Sequence, residues 1–300
     1  MKRLAVILTI ILAVIFVTLS LCDRKSDYNA ERLLYKAIKR ENVISMNPDV
    51  APPKLVSSVE HSLKKIITRF PESSTVKMAY IKLIELYIHN KDFDKTLSIL
   101  DEMLERYSND KALLVRTLYT KASVYELMGQ WDNALKLLNT LKDEHADTPL
   151  GLQVPLYIAG YYKKTGNTQA MDKAIDAAVS YYKNLREKYK GTALGYASSS
   201  LLVQTCLNSG NYETAGELVS SIIDEYPAQA SVAQQLPYVE IIFVRELKQQ
   251  ERAIALYENA LGKIRDERLK KALETRISAL KKSITKETPE PSAKPEPVKE

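Results

Sequence analysis

Asp101, Glu102 and Glu105 crowd into five positions, and paired carboxylates on one helix face are a common apparatus for general acid/base chemistry. Lys95 and Arg106 flank them, however, and opposite charges three to four residues apart are what a solvated helix face contains. His61, His89 and His145 are far apart in sequence, with no second His or Cys at ligand spacing, so no zinc signature exists. There is no GxGxxG, no Walker-type loop ending in Gly-Lys-Ser/Thr and no GxSxG elbow. Nucleotide use and serine hydrolysis therefore lose their usual supports, and no cofactor and no catalytic residue is implied. Cys206 has neutral sequence neighbours (Gln204, Thr205, Leu207) that would not activate a thiol, so it reads as a small core hydrophobe.

The elements that would hold these side chains follow from composition and period. Of 300 residues, 45% are apolar and 27% charged, which excludes global disorder; only 9 are Gly and 12 Pro, too few for turn-rich β folds. An all-α chain is expected. The net charge of +6, including Lys2 and Arg3 of the leader, is too small and dispersed to suggest nucleic acid. Of the 18 tyrosines, most fall at the packing positions of the repeat units described next (Tyr80, Tyr87, Tyr125, Tyr162, Tyr212, Tyr257), which suits half-buried helix interfaces better than a base-stacking surface. The segment from Tyr80 to Ser108 returns 38 positions later as Leu118 to Ala146. Tyr87 maps on Tyr125, Phe93 on Trp131, Thr96 on Ala134 and Leu100 on Leu138. Each unit is an apolar-periodic helix, a short polar turn (Asn90-Lys91-Asp92; Gly129-Gln130), an aromatic opening a second helix, and a small residue three positions on.

This pattern resembles the tetratricopeptide repeat, in which a small residue lets two helices approach closely and the aromatic fills the wedge between neighbouring hairpins. Gly210-Asn211-Tyr212 with Ala215 and Tyr226-Pro227 gives a further, clear unit. Two weaker ones are Tyr162 to Tyr182, with Gly166 at the turn and Ala170 and Ala174 small, and Ile241 to Ala260, with Ala253 small and no turn glycine. The second helix of the Tyr162 unit runs on towards Tyr189. A looser pair, Tyr28 to Val43 and Lys54 to Arg69, precedes them all. The resemblance implies a right-handed superhelical solenoid over residues 28–264, closed by a capping helix at 265–285 with Leu269, Leu273, Ile277 and Leu280 as its apolar stripe. Residues 286–300, rich in Pro, Glu and Lys, cannot form a core.

Lys2 and Arg3 precede an uncharged, mostly apolar run from Leu4 to Leu21, the pattern of an export signal. Leu19-Ser20-Leu21-Cys22 resembles the lipobox of bacterial lipoproteins, which implies lipidation at Cys22, a tether at 22–27 and removal of residues 1–21. A run of this length is also enough for an uncleaved anchor. Either outcome places the remainder outside the cytoplasm, facing the periplasm.

Phe70-Pro71-Glu72-Ser73 and Tyr226-Pro227 are similar to junctions in bacterial envelope repeat proteins, among them outer-membrane assembly lipoproteins of the BamD type. That family lines its inner face with first-helix residues, which implies a protein-binding groove here. In the first full hairpin its residues would be Ile81, Glu85 and His89, with Met78 and Ile88; in the second, Arg116, Tyr119 and Glu126. Gln153 and Lys163 would follow, then Gln204 and Asn208 with Ser200, then Tyr238 and Arg245 with Gln235 and Ile242. The mixture of apolar, amide and charged side chains suits an extended peptide or a partner's helix. The expectation is a non-catalytic, membrane-tethered scaffold with a protein partner and no metal. An accessory of cell-wall or polysaccharide secretion is the alternative, and an enzyme with its site between hairpins a more distant one. Residues 263–286 hold nine basic side chains against three acidic ones, which would suit docking of an acidic partner or anionic lipid.

Overall fold

Four hairpin turns close in the same way, and the reason is local. The N–H of Asp92, Gln130, Asn167 and Asn211 each bonds back to the carbonyl of Tyr87, Tyr125, Tyr162 and Cys206, at 2.8–3.0 Å. One residue earlier, the chain takes a left-handed conformation: Lys91 (φ 58), Gly129 (φ 73), Gly166 (φ 73) and Gly210 (φ 74). This six-to-one bond with a left-handed residue is a Schellman closure, which satisfies carbonyls the helix end would otherwise leave orphaned. Glycine meets the demand without strain at three of the four turns, and Lys91 meets it at a cost.

The computed structural model describes residues 27–46 and 52–287. The leader, Cys22 with its proposed tether, most of the loop between Met46 and Pro53, and the Pro/Glu/Lys tail lie outside the described residues. Helices and no strands occur among the described residues, as the period and composition require, and they divide into two compact units, residues 1–144 and 145–300.

In the first unit the helices are α1 (Asp27–Met46), α2 (Pro53–Arg69), α3 (Val76–His89), α4 (Phe93–Arg106), α5 (Lys111–Leu127) and α6 (Trp131–Glu144). Each packs chiefly on its chain neighbours. Leu63, Ile66, Ala79, Tyr80, Leu83 and Leu100 are central to its core. The small positions behave as the repeat demands, since Thr96 and Ala134 are completely buried. Helix starts are capped where the junctions place an oxygen. Asp110, for example, accepts from the N–H of Leu113 at 3.2 Å.

The second unit holds α7 (Pro149–Lys164), α8 (Thr168–Lys188), α9 (Ala193–Asn208), α10 (Tyr212–Glu225), α11 (Gln229–Val239), α12 (Gln250–Leu261) and α13 (Glu267–Glu287). Helix α8 is long, as its apolar period predicts, but the small side chain fully buried in it is Ala178, one turn beyond Ala174. Ala170 and Ala174 are only half-buried. Pro237 lies inside α11, and the helix continues as a π-helical stretch, Glu240–Glu246, before Lys248 (φ 58) turns the chain. Leu273, Ile277 and Leu280 of α13 are buried on that unit's core, so α13 closes it with one apolar face, as a capping helix must.

Four buried tyrosines each give their hydroxyl an acceptor, because an unpaired phenol in a core costs free energy. Tyr80 donates to Glu102, Tyr87 to Glu60 at 2.8 Å, Tyr182 to the carbonyl of Leu152 at 2.9 Å and Tyr257 to Glu240 at 3.1 Å.

Candidate functional site

Helices α3 and α5, the first helices of successive hairpins, both rest on α4 and leave a recess between them. Ile81, Ile84, Glu85 and Ile88 line it from α3, Leu113, Arg116, Thr117 and Thr120 from α5, and Leu100 and Met103 of α4 form its floor. On both helices the spacing is i, i+3, i+4, i+7, so two equivalent faces look at each other. The free volume is about 130 Å³, a little less than the roughly 150 Å³ of a cavity that accepts a benzene ring, so one branched aliphatic side chain is the size that suits it.

The recess is apolar by construction. Ile84, Leu100 and Met103 are buried, while Ile81 and Ile88 are half-buried walls. The threonine hydroxyls turn back into their own helix, Thr117 to the carbonyl of Leu113 at 2.7 Å and Thr120 to that of Arg116 at 2.9 Å. Glu85 and Arg116 are thus the only charged groups of the lining, both exposed. Lys82 holds the Glu85 carboxylate at 2.7 Å and reaches Glu41 of α1 at 3.5 Å. Burial pushes the Glu41 carboxyl above its usual range, partly offset by the Lys82 ammonium.

The structure therefore brings together Ile81, Glu85, Ile88 and Arg116 of the expected groove. His89 is exposed at the end of α3. Tyr119 and Glu126 lie further along α5, and burial followed by the Glu126 charge raises the Tyr119 phenol. Leu113, Thr117 and Thr120, as well as Ile84 and the α4 floor, were missed. The i, i+3, i+4, i+7 series at the start of α5 was the available signal for the first three.

In the second unit Gln153 and Lys163 are exposed on α7, Gln204 and Asn208 on α9, and Arg245 on the π-helical stretch, while Tyr238 is half-buried. Two groove expectations fail there. Ile242 is completely buried and Gln235 is 1% exposed, its amide donating to Tyr196 at 3.1 Å. Ile242 lies within the π-helical stretch, whose extra residue per turn shifts the register that a uniform repeat assumes; Gln235 precedes it, in regular α-helix.

The other chemical candidates have structural partners. Asp101 pairs with Lys121, and Glu102 receives Tyr80. Burial pushes the Cys206 thiol upward, with a smaller opposing effect of Lys183, so it is not an activated nucleophile. No group of three or more His, Cys, Asp or Glu able to hold a metal occurs among the described residues. Of the basic side chains in 263–286, Lys263, Lys270, Arg276 and Lys281 are tied to Asp224, Glu267, Glu240 and Glu258. Arg268, Lys271 and Lys282 remain exposed on α13. No helix among the described residues is long and apolar enough to cross a membrane.

Comparison with known proteins agrees with this geometry. The family described as tetratricopeptide repeat matches residues 116–148, which span most of α5 and all of α6. Among curated proteins none matches the chain. A crystal structure of BtubC (BKLC) from P. vanneervenii is similar at 13% identity, covering 93% of this chain and 98% of that one with a TM-score of 0.32; a likeness that low carries no argument. The described helices pack as a tetratricopeptide-like helical repeat, an architecture that presents extended surfaces for binding.

Proposed function

We propose that this protein is a non-catalytic scaffold of the bacterial cell envelope, tethered to a membrane through its N-terminal segment and holding a protein partner in the recess between α3 and α5. One observation carries the reading: an open apolar recess whose only charges are a carboxylate on one wall and a guanidinium on the other. An inserted apolar side chain from the partner would be desolvated there, and Glu85 and Arg116 would meet polar groups of the segment on either side of it. Burying a Leu-sized group is worth roughly 1.5–3 kcal/mol, enough for an anchor residue in a groove-bound peptide. The tether is supported by the charged leader with its Leu4 to Leu21 run and by Leu19-Ser20-Leu21-Cys22.

Site-specific photocrosslinking in the native cell tests the reading. A photoreactive residue at Thr120 should capture one discrete partner that the same residue at exposed Asp176 of α8 does not, and Ile81→Arg should abolish the capture while the protein remains folded. Equal capture at both positions, or capture indifferent to Ile81→Arg, removes the recess as the binding site. Fractionation addresses the tether separately: Cys22→Ala should eliminate acyl labelling, and full-length mass with residues 1–21 attached would establish the uncleaved anchor.

A further inference from the structure

Helix α1 buries only one side. Ala30, Ala37 and Ile44 are buried against the first unit's core, but Tyr28 (68%), Tyr35 (67%), Val43 (58%) and Met46 (78%) are largely exposed. Four of the seven large apolar side chains exposed among the described residues thus sit on this helix. Their spacing is not random. Tyr28, Arg32, Tyr35, Lys39, Val43 and Met46 step by three and four residues and so form a single stripe along the helix, opposite the buried one.

From this stripe we infer that α1 lies against the surface of an anionic bilayer, apolar and aromatic side chains at headgroup depth and Arg32 and Lys39 among the phosphates. The residue types are those of an interface: tyrosine places an apolar ring and a polar tip at headgroup level, and long basic side chains lay their stems on apolar surface with the charge outward. Glu31 lies at the edge of the stripe. The occupant is set by chain continuity. The uncharged Leu4 to Leu21 run ends six positions before Asp27, and six residues span at most about 20 Å. If that run is held in a membrane, the first turn of α1 is within reach of the headgroups. The inference rests on the membrane tether proposed above.

A fluorescence experiment on the full chain separates the two. The protein and its Tyr35→Trp variant are reconstituted into phosphatidylcholine vesicles with and without phosphatidylglycerol, using lipids brominated along the acyl chain. Native Trp131, which opens α6, provides the emission to be subtracted. Emission from the introduced indole should be quenched by brominated lipid, more strongly with phosphatidylglycerol, and Arg32→Glu with Lys39→Glu should reverse the quenching while circular dichroism stays unchanged. A chain that floats with the vesicles while the introduced indole stays unquenched overturns the docking of α1 but leaves the tether standing. A chain that does not float overturns both. An introduced indole shielded from aqueous quencher yet untouched by brominated lipid assigns the stripe to a protein contact and overturns the inference as well.

Discussion

Arg276 of α13 grips Glu240 with both arms of its guanidinium, Nε to Oε2 at 3.0 Å and Nη2 to Oε1 at 2.6 Å. Glu240 is the first residue of the π-helical stretch, and its Oε2 also accepts from the Tyr257 hydroxyl. One carboxylate therefore ties the last helix, α12 and the irregular turn together. A bidentate charged pair of this kind, only partly exposed, should contribute roughly 1–2 kcal/mol. Arg276→Ala is expected to lower the stability of the second unit by that amount. Arg276→Lys should recover little, because an ammonium cannot bridge both oxygens. Chemical denaturation of the three proteins checks this.

Close helix approach depends on small side chains at fixed places. A Cβ on Gly216 would meet the Phe243 ring at 2.5 Å, and Phe243 is 1% exposed with nowhere to move. Gly216→Ala should destabilise by about 1–3 kcal/mol. Ala134→Trp and Ala215→Trp, both at completely buried positions, should do so more severely, whereas Ala279→Trp on the exposed side of α13 should leave the melting curve nearly unchanged. Equal effects at buried and exposed alanines would disprove the repeat register.

Acid should loosen the second unit through Glu225. Burial opposes its ionisation, but the Ser221 hydroxyl and the charges of Arg186 and Lys190 outweigh that and hold the carboxyl below its ordinary value of 4.5. With the folded value below the unfolded one, its stabilisation is complete above 4.5 and is lost as pH falls through the folded value. Stability measured on progressive acidification should fall in that window, and Glu225→Gln should flatten the slope. An identical pH profile for the variant would remove Glu225 as its source.

Lys91 bears the strain of φ 58 that glycine avoids at the other Schellman turns of the same form. Lys91→Gly should stabilise the first unit by up to about 1 kcal/mol, and Gly129→Ala should destabilise it by a similar amount. Paired thermal melts decide whether the turn, rather than the side chain, sets the preference.

Much of this architecture was legible because its determinants are local. Tyr87, Gly129, Ala134 and Ala215 sit at positions whose spacing alone announces a hairpin, and the structure places them at the turns and close contacts that spacing requires. The candidate site was legible by halves. Ile81, Glu85 and Arg116 belong to first-helix faces that the repeat pattern exposes, but Leu100 and Met103 enter from a second helix, and no periodicity within α3 or α5 reports what lies beneath them. Ile242 was misplaced because the π-helical stretch breaks the regular turn on which the register depends, and Gln235 because its amide turns inward to Tyr196. Ala178 rather than Ala170 or Ala174 is the fully buried small residue of α8, which the repeat spacing alone did not indicate.

The turns that close each hairpin from within also set how the protein responds to force. Within each unit a helix leans mainly on the helices before and after it, so tension on the chain meets chiefly contacts between neighbours. Pulled from its ends, such a unit should yield hairpin by hairpin, each releasing roughly 100 Å of chain, and each should reform by packing back on a neighbour that is still folded. In a protein held to a membrane by its N-terminal segment and to a partner by the recess between α3 and α5, such load would pass first through α1 and α2.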